Sequence, residues 1–196
     1  MAPQLVPITT RVPIPPNLEP SAVVSALHAY EPLITANPYL VGYERRAVPL
    51  QDLVDDPFFR ADGLRLQAFV VRDRVPIIPG VASKAVVVPC VFQSFDAGAR
   101  CRAEAQGGVT VRSSYEVRRR GEVPPGPGEK DAAAGKGKDV VGYEWELVER
   151  AVIECGSMVK PFVKHSFASA HREILQRVID HVVAKTELMR KGDRYI

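Results

Sequence analysis

The stretch over residues 143–190 constrains the fold most, because a side-chain period of two gives way there to one near 3.6. Over residues 141–155, Val141, Tyr143, Trp145, Leu147, Glu149, Ala151, Ile153 and Cys155 occupy one side. Glu144, Glu146, Arg150 and Glu154 occupy the other. Such alternation predicts a strand with one face on a core and one in water. Gly156 and Ser157 break it, and Pro161 suits a first helical turn, where its missing N–H costs little. Val163, Phe167, Ala170, Ile174, Val178 and Val182 then recur at steps of three and four, with Leu175, Ile179 and Val183 widening the stripe. So broad an apolar face must lie on something flat and apolar, and a sheet of such strands is the natural partner. A long helix across a curved antiparallel sheet can leave a cavity between them, and function is to be sought there.

Upstream, residues 4–14 read as an edge strand, since Pro7 and Pro13 cannot donate to a ladder. Residues 20–36 predict one short helix or two broken ones, limited by Pro32 and Pro38. Strands are expected over residues 39–48, 64–77 and 83–95. A loop over residues 49–62 is anchored by Phe58 and Phe59. The third of these strands is apolar on both faces, as a central strand would be, although Pro89 demands a bulge or an edge. Residues 99–106 and 109–117 alternate around the turn at Gly107 and Gly108. Residues 121–138, rich in Pro, Gly and Lys, read as a flexible loop. There is no internal repeat. The order is strand, short helices, meandering strands and a long final helix. That is an α+β layout in one domain over residues 1–196, with an antiparallel sheet and helices on one face.

This order resembles the helix-grip fold of the START-like superfamily, which includes birch-pollen-allergen-type proteins, polyketide aromatase/cyclases and lipid-transfer domains. ALHAYEPLITANPYL at residues 26–40 and MVKPFVKHSFASAHREILQRVI at residues 158–179 look like the matching segments of an uncharacterised fungal family within it. The resemblance implies a hydrophobic cavity between sheet and final helix, and a role in fungal secondary metabolism or lipid handling. It carries over no catalytic residues.

Composition narrows the partners. A charge of +3 with 25% charged residues does not argue for nucleic acid or a membrane surface. No apolar run reaches the roughly 18 residues of a membrane span, and no secretory signal is visible. Cys90, Cys101 and Cys155 are scattered and odd in number, which favours reduced thiols and a cytoplasmic protein. Nothing in the sequence sets an oligomeric state. Arg100, Arg102, Arg112, Arg118, Arg119 and Arg120 are expected on a solvated outer sheet face, balanced by Glu104, Glu116 and the glutamates of residues 144–154.

Glu149 is the candidate catalytic residue. It shares a face with Trp145, Leu147, Ala151 and Ile153, and a carboxylate in an apolar cavity can work as an acid or base. The alternative is a carboxylate solvated or ion-paired at a bulge or cavity mouth. Ser113 and Tyr115 lie on the inner face of the preceding strand. With Tyr143, Trp145, Phe167, His171 and Ile174 they make the expected ligand-binding set. His171 borders the apolar stripe, whereas His165, His28 and His181 read as surface residues. No histidine has a metal-ligand partner at i+4, so no metal or cofactor is expected. Cys155 is the weakest alternative, a thiol with no evident base. The reading is a carrier for a hydrophobic lipid, polyketide or terpenoid-like molecule. The alternative is a cofactor-independent cyclase or isomerase using the same cavity. A buried Glu149 with a second polar group would favour the enzyme.

Overall fold

The computed structural model describes residues 3–49, 56–59, 64–78, 82–122, 142–158 and 160–192. Most of the loop expected over residues 121–138, and parts of that over residues 49–62, lie outside the described residues. The elements run β1 (Gln4–Ile14), α1 (Pro20–Ala29), α2 (Glu31–Thr35), β2 (Leu40–Arg46), β3 (Leu64–Ile78), β4 (Ala82–Phe95), β5 (Gly98–Ala105), β6 (Val109–Arg119), β7 (Trp145–Cys155) and α3 (Lys160–Gly192). The strands form one curved antiparallel sheet in the order β1-β7-β6-β5-β4-β3-β2, with the helices on its inner face. This is an α+β helix-grip fold.

Each element follows from local chemistry. β1 is an edge strand, where its prolines are tolerated. Pro89 needs no bulge, because residues 82–89 pair with β3 alone and β5 joins only from Cys90 onward. The free flank is the edge that proline requires. β7 starts at Trp145 rather than at residue 141. Gly142, at φ +119, lies outside the extended region, so regular pairing begins only after it. The helical segment after Pro20 is two helices, broken at Tyr30, whose φ of 61 is rare for a side chain of that size. The break drops the Tyr30 ring onto Phe92, centroids 5.0 Å apart, and its hydroxyl lies 2.6 Å from Ser94 Oγ. Gly98 opens β5, where a β-carbon would collide with the Tyr115 carbonyl. Only glycine lets β6 approach there.

The inner face divides into two apolar clusters. The larger gathers Val12, Ile14, Leu18, Val23, Leu27, Phe69, Phe92 and Leu147 with Leu175, Val178, Ile179 and Val182 of α3. The smaller holds Val6, Ile153 and Cys155, with Phe167 packed against them. Among the described side chains of α3, the buried ones are Leu175, Val178, Ile179 and Val182. Residues 167–174 are half-buried or exposed.

The outer face is not simply solvated. Arg102, 7% exposed, reaches Asp56 at 2.7 Å beneath the Phe59 ring. Residues 56–59 thus anchor the loop as expected, but by burying an arginine expected in water. Arg112 pairs with Glu154 at 3.2 Å, Arg119 with Glu144 at 3.3 Å, and Arg118 and Arg150 both reach Glu116.

Candidate functional site

β6 and β7 pair so that Tyr115 faces Glu149 and Ser113 faces Ala151. Residues opposite one another in an antiparallel ladder point to the same face, so all four look inward. Glu149 is 1% exposed. Its carboxylate is nevertheless well supplied with donors. Ser113 Oγ donates to Oε1 at 2.7 Å, and His171 Nδ1 lies 2.7 Å from Oε1 and 2.8 Å from Oε2. A carboxylate only accepts, which assigns the proton to Nδ1. One turn earlier on α3, the Phe167 ring lies flat on the imidazole, with centroids 3.6 Å apart and planes 18° apart. The imidazole is thus fixed at its edge by Glu149 and on its face by Phe167. Its Nε2 has no hydrogen-bond partner among the described residues. An imidazole held at Nδ1 by a buried carboxylate, with no described partner at Nε2, has the geometry that general acid–base chemistry uses.

The surroundings hold other protons in place. Burial pushes the Tyr115 phenol well above its ordinary value. The charge of Glu149, the neighbouring Cys101 and a hydrogen bond with Glu149 add to this, while a Ser113 hydrogen bond opposes it. A hydrogen bond with Cys90, then burial, and then the charge of Glu149 likewise raise the Cys101 thiol. Both groups stay protonated and neutral at physiological pH. Cys90 Sγ in turn lies 3.7 Å from the Phe69 carbonyl. All three cysteines are free and buried. Among the described residues no three His, Cys, Asp or Glu side chains gather as a metal site would require.

Of the residues singled out from the sequence, Glu149, Ser113, Tyr115, Phe167 and His171 come together. Ile174 packs against the larger cluster. Trp145 packs against that same cluster, and neither it nor Tyr143 bonds the Glu149 carboxylate. Tyr143 precedes β7 with the Arg120 guanidinium 4.6 Å from its ring centre, and Trp145 has Arg119 over it at 5.2 Å. His28 is not a free surface residue, since its Nε2 lies 2.9 Å from the Phe95 carbonyl oxygen. His181 is exposed, and the His165 side chain lies outside the described residues. Sequence reasoning passed over Thr10. It is 3% exposed and sits directly opposite Glu149 on β1. Its signal was its place between Ile8 and Val12 on an otherwise apolar face.

The fold and the group around Glu149 define a helix-grip protein with a carboxylate–imidazole pair buried under its final helix. The chain belongs to the family described as a domain of unknown function, DUF7053, whose model matches residues 5–184. No curated protein matches it. Among solved structures it is similar in fold to TTHA0849 from Thermus thermophilus, at 13% identity and a TM-score of 0.50. That match covers 93% of this chain and 99% of the other. It is also similar to two di-domain ARO/CYC proteins. These are BexL from the BE-7585A biosynthetic pathway (11% identity, TM-score 0.52, 91% of this chain) and StfQ from the steffimycin biosynthetic pathway (6%, 0.54, 93%). The chain spans about half of each, 50% and 52%. At these identities the likeness is one of fold. No helix among the described residues is long and apolar enough to cross a membrane.

Proposed function

We propose that this protein binds a hydrophobic, lipid- or polyketide-like molecule between sheet and final helix and acts on it as a cofactor-independent cyclase or isomerase. The observation that carries this reading is the Glu149–His171 pair. A carrier needs only the apolar walls, whereas here an oriented imidazole with an unspent Nε2 faces the inner side of the sheet. In the reaction proposed, Nε2 takes a proton from the carbon next to a carbonyl. The resulting enolate adds to a second carbonyl carbon of the same molecule, forming one carbon–carbon bond. The imidazolium, stabilised by Glu149, returns the proton to the alkoxide. No atom is lost and no oxidant is needed. The fold shared with two ARO/CYC proteins supports this class of chemistry. The buried free cysteines support a reducing, cytoplasmic setting, and the resemblance to a fungal family supports secondary metabolism.

The test begins with native mass spectrometry of protein purified gently from its own source, followed by extraction of what is bound. A co-purifying apolar compound that wild-type protein converts, and that His171→Gln binds without converting, is the expected result. A compound bound but never converted would make the protein a carrier. An empty protein that also binds no hydrophobic fluorescent dye would overturn both readings.

A further inference from the structure

The inner face carries a polar row that crosses the sheet. Thr10 on β1 faces Glu149 on β7, Glu149 faces Tyr115 on β6, Tyr115 faces Ala99 on β5, and Ala99 faces Ser94 on β4. Most members of this row are satisfied. Glu149 receives Ser113 and His171, and Ser94 bonds Tyr30. Thr10 is the exception. Its residue is 3% exposed, and its Oγ1 is shielded from solvent with no hydrogen-bond partner among the described residues. A buried hydroxyl left unmatched costs more than a hydrogen bond returns, so native proteins rarely keep one without a use for it. Valine has the same shape and would fit the alternation of Val6, Ile8, Val12 and Ile14 with no such cost.

The position of Thr10 says what that use is. The final helix α3 packs against β1, the strand that carries Thr10, and its His171 bonds the same Glu149 that stands opposite Thr10 in the ladder. Two polar groups beside the carboxylate thus have no hydrogen-bond partner among the described residues. One is the Thr10 hydroxyl, able to donate and accept. The other is His171 Nε2. Apolar clusters lie to either side of this row, with Val6 and Ile153 on one side and Val12 and Leu147 on the other.

We propose that Thr10 is the binding residue for an oxygen of the ligand, and that the ligand class is an apolar skeleton bearing a carbonyl or phenolic hydroxyl rather than a plain hydrocarbon chain. This rests on the proposed function and specifies it. Thr10 anchors the oxygen on the β1 side and presents the neighbouring carbon or hydroxyl to His171. A site built to hydrogen-bond an oxygen discriminates against the analogue that lacks it, because the site's own buried group is then left unmatched.

The experiment compares 2-naphthol with naphthalene by equilibrium dialysis, on wild-type protein, Thr10→Val and Thr10→Ser. Wild-type protein and Thr10→Ser are expected to prefer 2-naphthol. Thr10→Val should lose about tenfold in affinity for 2-naphthol while binding naphthalene as well as wild type or better. Its melting temperature without ligand should be unchanged or raised, since it removes an unmatched hydroxyl. A lowered melting temperature for Thr10→Val, restored in Thr10→Ser, would show a structural partner and overturn the proposal. So would Thr10→Val binding both compounds as wild type does. Wild-type protein that binds neither compound would overturn the ligand site itself, and this proposal with it.

Discussion

The two faces of the sheet each bury carboxylates, and they satisfy them in opposite ways. On the outer face Asp56 and Glu116 are held by arginines. Burial works to raise the Asp56 carboxyl, but the Arg102 hydrogen bond, the Phe58 N–H and the charges of Arg112 and Arg102 bring it below its usual range. Glu116 follows the same course through Ser114, Arg118 and Arg150. Arginine keeps its charge at any working pH, so these pairs are permanent structure. On the inner face Glu149 is more deeply buried, yet its described partners are the Ser113 and Tyr115 hydroxyls and an imidazole. None of these is an arginine or a lysine. The outer carboxylates are locked to fixed cations, whereas the inner one is held by hydroxyl and imidazole groups and, in the function proposed above, takes part in proton transfer.

The sharpest way to break this contrast is to neutralise one carboxylate on each face. Glu149→Gln keeps the shape and can still hydrogen-bond, but it no longer holds the imidazole in one tautomer or steadies its charged form. Turnover of the compound recovered from the native protein should fall about 10²–10⁴-fold. The unfolding free energy from a denaturant titration should change by about 1 kcal/mol or less. Turnover within threefold of wild type would remove Glu149 from the site. The outer-face counterpart is Arg102→Met, which strands Asp56, 8% exposed at its side chain, without its nearest cation. Breaking a buried pair from one side costs about 3 kcal/mol. Urea unfolding should show a loss of that order with turnover unchanged per folded molecule. A stable variant with impaired turnover would reverse the roles assigned to the two faces.

Much of this arrangement is legible in the sequence, and the reason is periodicity. Glu149, Ser113 and Tyr115 follow from a period of two in β6 and β7, which places them inward whatever the rest of the chain does. The His171 position at the border of the helical stripe follows from the 3.6 period. What periodicity cannot supply is register between distant segments. Thr10 meets Glu149 because β1 closes on β7 across almost the whole chain, and nothing local to residues 4–14 fixes which inward residue stands opposite which. The Asp56–Arg102 pair is hidden for the same reason, since a short irregular segment is held on the sheet by its tertiary partner. The strand starts at Trp145 rather than at residue 141 because of a local fact, the backbone of Gly142. Alternation in letters runs through it while the extended strand does not.

The faces should also separate in pH, and this effect is smaller than the last two. Asp56 and Glu116 have folded values below their ordinary ones of 3.8 and 4.5. The unfolded chain therefore takes up protons first as pH falls. The stability these groups contribute is whole above those values and drains away as pH drops through the folded ones. Tyr115 and Cys101 are shifted the other way, raised above 10.0 and 9.0. Their contribution is whole below those values, and it is lost as pH rises from 9 onward, because the unfolded chain then gives up protons that the folded one keeps. Thermal melts between about pH 3 and 10.5 should thus show an acid limb owned by the outer face and an alkaline limb owned by the inner one. Glu116→Gln should flatten the first and leave the second. Tyr115→Phe should flatten the second and leave the first. If either variant alters the limb assigned to the other face, the carboxylates and the phenol are coupled through the sheet, and the division of labour between the faces fails.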